Sequence, residues 1–78
     1  MSLFARIQET IAATLKVPAA KITETLRDED LPAWDSLGQV NLMMALEQTY
    51  GIYIEVEDFG NLKSVPAIID YLHRHGVR

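Results

Sequence analysis

No cysteine occurs in this chain of 78 residues. That absence constrains the fold more than any other feature. A domain this small buries only about 60% of the surface its unfolded chain exposes. Many such domains add disulfides or a thiolate-held metal. Neither is open here, and the remaining route is close packing of helices within one domain, residues 1–78. Hydrophobic residues make up 49% of the sequence, too many for a disordered tail.

The apolar residues recur at helical spacing. Leu3, Phe4, Ile7, Ile11 and Leu15 predict an amphipathic helix over 3–15. Ser2 is its candidate N-cap, and Pro18 ends it. Residues 17–34 read as a long loop, broken by Pro18, Pro32 and the charged run Arg27-Asp28-Glu29-Asp30. Val17, Ile22, Leu26, Leu31 and Trp34 are its apolar anchors. Loops beyond about 15 residues are uncommon in compact domains and are often functional.

A second helix is expected over 35–50. Asp35 suits its N-cap and the positive end of its dipole, and Gly51 suits its end. This helix carries two apolar stripes, Leu42, Met43, Leu46 and Tyr50 on one side and Leu37, Val40 and Met44 on another. Either both are covered internally, or one is a surface that meets a partner. Residues 52–56 alternate like a strand, but the chain offers no second strand to pair with. An extended connection and a short helical turn near 57–61 are expected instead. Ser64 caps a last helix with Pro66 in its first turn, Val65, Ile68, Ile69 and Leu72 toward the core, and Gly76 at its end. The fold class is therefore all-α: a small bundle of three main helices plus a short extra helix.

Catalytic signals are weak. A chain this short has little room for a walled active site. His73 and His75 face different sides of a helix end, with no Cys or nearby carboxylate to complete a metal set. No phosphate-binding glycine loop is present, and Ser36 lacks the flanking glycines of a hydrolase elbow. Not an enzyme is the expectation. No nucleic acid is expected as partner at a net charge of −4. No membrane span is expected, since no apolar run approaches about 20 residues. No targeting segment stands out, and the expected location is the cytoplasm. The charge is uneven. Residues 28–58 hold eight acids and no Lys or Arg, a local charge of −8. Such a span suits basic partners or serves solubility alone.

Ser36 stands where these features converge. It follows the cap Asp35, opens the second helix, closes the long loop and lies in the acidic span. Taken alone, Asp35-Ser36-Leu37 is ordinary capping sequence.

Over nearly its whole length the chain resembles the acyl carrier proteins. The resemblance is strongest from Trp34-Asp35-Ser36-Leu37-Gly38-Gln39-Val40 through Glu47. It continues through Tyr50-Gly51-Ile52, Ile54 and the segment Ser64–Leu72. It implies an acyl-carrier-like bundle with 4′-phosphopantetheine, drawn from coenzyme A, attached covalently at Ser36. Asp35 and Leu37 would flank the attachment point for recognition. The missing thiol would arrive on that arm, which would hold acyl or aminoacyl groups as thioesters. Implied partners are a phosphopantetheinyl transferase, an acyl- or aminoacyl-loading ligase or transferase, and downstream biosynthetic enzymes, met by a monomer. Leu37, Val40, Met44, Glu47 and Val56 match the partner-facing side. Leu42, Leu46 and Ile54 match cargo-lining positions.

The sequence departs from the fatty-acid-synthesis members, whose second helix is studded with acids. Here Gln39, Asn41, Gln48 and Thr49 stand at such positions, and only Glu47 is charged. Gly38 replaces a polar residue at a cost of about 1 kcal/mol of helix propensity. Trp34 replaces a small or aliphatic residue. These differences resemble discrete carriers of specialised biosynthetic clusters. The alternatives are a housekeeping fatty-acid-synthesis carrier and an unmodified helical adaptor.

Overall fold

A computed structural model describes residues 2–78. Three α-helices carry the structure: α1 (Leu3–Leu15), α2 (Ser36–Tyr50) and α3 (Val65–Arg74). A short 3-10 helix, Val56–Asn61, precedes α3. No strand occurs among the described residues. A lone antiparallel bridge joins Arg27 to Ser64.

Each helix begins at a polar cap. The Ser2 and Ser64 hydroxyls accept from the N–H of Ala5 and Ala67, both at 3.1 Å. Each satisfies one of the donors that a helix start leaves unpaired. The first helix stops earlier than Pro18 demands. Lys16 turns left-handed at φ 59°, and Leu15 is the last helical residue. Gly51 closes α2 in the same conformation at φ 64°, where a glycine carries no Cβ penalty. The last helix ends at Arg74, and Gly76 takes a positive φ two residues later.

The core is one cluster drawn from all three α-helices and the connections between them. Ile7 and Ile11 come from α1, Leu42, Met43 and Leu46 from α2, and Val65, Ile68, Tyr71 and Leu72 from α3. Tyr71 is an addition to the expected set, while Ile69 is only half-buried. Between α1 and α2 the chain makes two 3-10 turns, Ala19–Lys21 and Asp28–Asp30. Ile22, Leu26, Leu31 and Trp34 are buried as anchors, and Val17 is half-buried. The loop is thus fastened along its length. It is also tied to the start of α3, with Asp28 N donating to Lys63 O and Val65 N to Leu26 O, both at 2.9 Å.

The connection 52–62 is anchored to the core. Ile54 and Leu62 are buried, and Phe59 is half-buried. Among the described residues no helix is long and apolar enough to cross a membrane.

Candidate functional site

The long loop delivers Ser36 to the first position of α2. Asp35 is extended, and its Oδ1 accepts from Gly38 N at 2.8 Å. Its carbonyl accepts from Gln39 N, also at 2.8 Å. The Ser36 and Leu37 N–H groups lie in the turn where an α-helix has no backbone acceptor to offer.

Gly38 explains how the loop can close so tightly on the helix. A Cβ placed there would stand 2.5 Å from the Ala33 carbonyl oxygen and 3.0 Å from Leu15 Cδ2. The position is buried, not a surface site that lost a polar side chain. Its helix-propensity cost is offset by this close approach.

Ser36 itself is exposed, and its hydroxyl joins no hydrogen bond among the described residues. Ser2 and Ser64 differ, since each spends its hydroxyl on capping. Beside Ser36 lies a groove of about 420 Å³, whose lining includes Trp34, Gln39, Val40, Phe59 and Lys63. That volume falls within the range of small-molecule sites. A phosphate ester at Ser36 would meet unpaired N–H groups and the positive end of the helix dipole, with Lys63 as a cation in the groove. Asp35 and Asp28 also line the groove and oppose a phosphate. The arrangement fits a phosphorylated arm directed outward along the groove.

The other expected residues separate into two sets. Leu37, Val40 and Met44 are 69%, 43% and 51% exposed, and Val56 is 71% exposed. These apolar side chains are open to solvent, and Tyr53 joins them as an exposed ring. Leu42, Leu46 and Ile54 are almost fully buried in the core. Glu47 lies between the sets. It is half-buried, and its Oε2 accepts from Ile54 N at 2.8 Å, which pins the start of the 52–62 connection to α2.

Gln39 is the residue that sequence reasoning misplaced. The sequence puts it with Asn41, Gln48 and Thr49 among the neutral residues standing where the fatty-acid-synthesis members carry acids, but it is only 6% exposed. Its Oε1 accepts from the Trp34 indole N–H at 2.6 Å. Its Nε2 donates to the carbonyls of Phe59 and Leu62 at 2.7 and 3.0 Å. A signal existed: a buried Trp needs a partner for its N–H. Gln39, in the next turn of chain, is a side chain able to provide one.

A family model described as the phosphopantetheine attachment site matches residues 5–72. The chain belongs to that family. It is a phosphopantetheine-bearing carrier of acyl groups, and in this family 4′-phosphopantetheine is attached covalently to a serine. Carriers of this family are typically not themselves catalytic. They work with a phosphopantetheinyl transferase and with biosynthetic enzymes.

Proposed function

We propose that Ser36 is the attachment point, and that the chain carries acyl or aminoacyl groups to the enzymes of a specialised biosynthetic pathway. The observation that carries this reading is the Ser36 hydroxyl, exposed and unpartnered on the first turn of α2 beside a groove. The prosthetic group, when bound, supplies a terminal thiol that holds cargo as a thioester. The chain's own residues hold and present it. Asp35 caps α2 and so fixes the helical turn that carries Ser36, while Leu37 marks the site from the exposed side.

Leu37, Val40, Met44 and Val56, with Glu47 at the edge, form the partner face of this carrier. Exposed apolar side chains grouped in this way mark a surface that meets another protein. The acidic span 28–58 steers basic partners toward it. The specialised role is supported by α2 itself. Glu47 is its sole charged residue, and the exposed Asn41, Gln48 and Thr49 are neutral. A carrier so built makes fewer charge pairs along this helix than an acid-rich one would. The core closes within one chain, which supports action as a monomer.

Intact-mass measurement tests the proposal. Incubation with coenzyme A and a broad-specificity phosphopantetheinyl transferase should add the mass of one phosphopantetheine. Ser36→Ala should abolish the gain, while Ser2→Ala and Ser64→Ala should keep it. Failure of the wild type under conditions that modify a known carrier would overturn the reading. It would favour an adaptor that works through the exposed apolar residues alone.

A further inference from the structure

We propose that Gln39 and Trp34 form a polar bolt that keeps cargo out of the helix bundle, so that this carrier presents its cargo on the surface. The inference rests on Ser36 being the attachment point. Ser36, Gln39, Leu42 and Leu46 follow one another along α2 at spacings of three and four, and so share one side of the helix. Ser36 is exposed, Gln39 is buried, and Leu42 and Leu46 are core. Gln39 lies between Ser36 and those leucines along this side of α2, at the seam between α2 and residues 59–62.

Gln39 closes that seam with bonds in three directions. Both hydrogens of its amide are committed, to Phe59 O at 2.7 Å and Leu62 O at 3.0 Å. Its oxygen takes the Trp34 indole N–H at 2.6 Å. Opening the seam would leave an indole N–H, an amide and the Leu62 carbonyl without their partners, which is unfavourable unless all find new ones. Phe59 O keeps the Leu62 N–H at 3.2 Å. The closed segment is held at its two ends as well. Glu47 Oε2 accepts from Ile54 N at 2.8 Å, and Tyr71 OH donates to Asp58 Oδ2 at 3.1 Å.

A saturated alkyl cargo would gain most from entering the core, and this chain denies it entry. Cargo with its own polar groups, such as hydroxyacyl or aminoacyl, loses nothing by staying in the groove. Gln39 and Trp34 are therefore specificity-determining residues for the cargo class.

The test compares each protein with its own holo form. The transferase first loads the chain from octanoyl-coenzyme A. Intact mass then reports whether loading occurred, so a failed attachment is distinguished from a failed bolt. In the wild type the thermal midpoint should stay within about 1 °C of the holo protein. The Trp34 indole N–H should exchange with solvent at the same rate in both forms. In Gln39→Leu, octanoylation should raise the midpoint by roughly 5 °C or more, as a bound ligand stabilises a fold. If that variant does not fold, Trp34→Phe removes one of the three bonds and should show a smaller rise of the same sign. A midpoint rise of roughly 5 °C in the wild type overturns the proposal. So does indole exchange accelerated by about tenfold on loading, or the absence of any rise in the folded variants.

Discussion

Gly38→Ala should destabilise this protein, although helix propensity alone predicts the opposite. Alanine in a helix interior is favoured over glycine by about 1 kcal/mol. Against that stands the space at Gly38. The new methyl would lie 2.5 Å from the Ala33 carbonyl oxygen, 3.0 Å from Leu15 Cδ2 and 3.3 Å from Asp35 Oδ1. The Leu15 methyl can turn aside, but Ala33 O is backbone and the loop must move with it. Forcing a methyl into a packed site costs typically about 1–3 kcal/mol. Displacing Asp35 from its bond to Gly38 N forfeits a helix cap, about 1 kcal/mol more. The clash and the lost cap exceed the propensity gain by about 2 kcal/mol. In a domain of this size the thermal midpoint should fall by roughly 8–16 °C. Urea unfolding followed by circular dichroism measures the change, with Gly60→Ala as control because nothing lies within 4 Å of a Cβ there. A Gly38→Ala protein as stable as the wild type, or more so, would refute the packing argument.

Two further perturbations probe other parts of the chain. Burial, and then the hydrogen bond to Asp58, raise the Tyr71 phenol above its ordinary value. The neutral phenol is the form the fold favours. The stability it contributes is present below about pH 10 and is lost as pH rises through the raised folded value. Tyr71→Phe should therefore cost about 1–3 kcal/mol at neutral pH, for a bond to a charged acceptor, and should flatten the loss above pH 10. An alkaline limb unchanged from the wild type would exclude Tyr71 as its source. Met44→Asp should leave stability within about 0.5 kcal/mol, since the side chain is half exposed. In steady-state loading by the transferase, KM should rise about tenfold with kcat unchanged. An unchanged KM would remove Met44 from the partner face for that enzyme.

Helix starts and the positions of apolar stripes were legible because they depend on neighbours in the chain. Ser2, Asp35 and Ser64 are caps by virtue of side-chain reach to an N–H three residues on. The exposed serine at a helix start was legible for a similar reason, since Asp35-Ser36-Leu37 and the helix after it are contiguous. The separation of Leu37, Val40 and Met44 from the buried Leu42, Met43 and Leu46 also follows from helical periodicity. What periodicity left open was which stripe the rest of the molecule would cover. That depends on where α1 and α3 pack.

Gln39 and Gly38 show where local reasoning stops. Nothing within a few residues of Gln39 says that the carbonyls of Phe59 and Leu62, more than twenty positions away on average, will be brought to its amide. Nothing local says that Ala33 O will press against Gly38. Nor does anything local say that the connection 52–62 will be held by its buried Ile54 and Leu62 and by bonds to Glu47, Gln39 and Tyr71.

By itself, then, the sequence determined an all-helical, staple-free domain with a serine displayed at a helix start. Those properties rest on short-range backbone sterics, capping and the period of the helix. Only the tertiary structure decided that Gln39 and Trp34 line the groove beside Ser36 and that Gln39 is bonded to the Trp34 indole and to the carbonyls of Phe59 and Leu62. Hydrogen bonds between distant segments exist only after the core has brought those segments together.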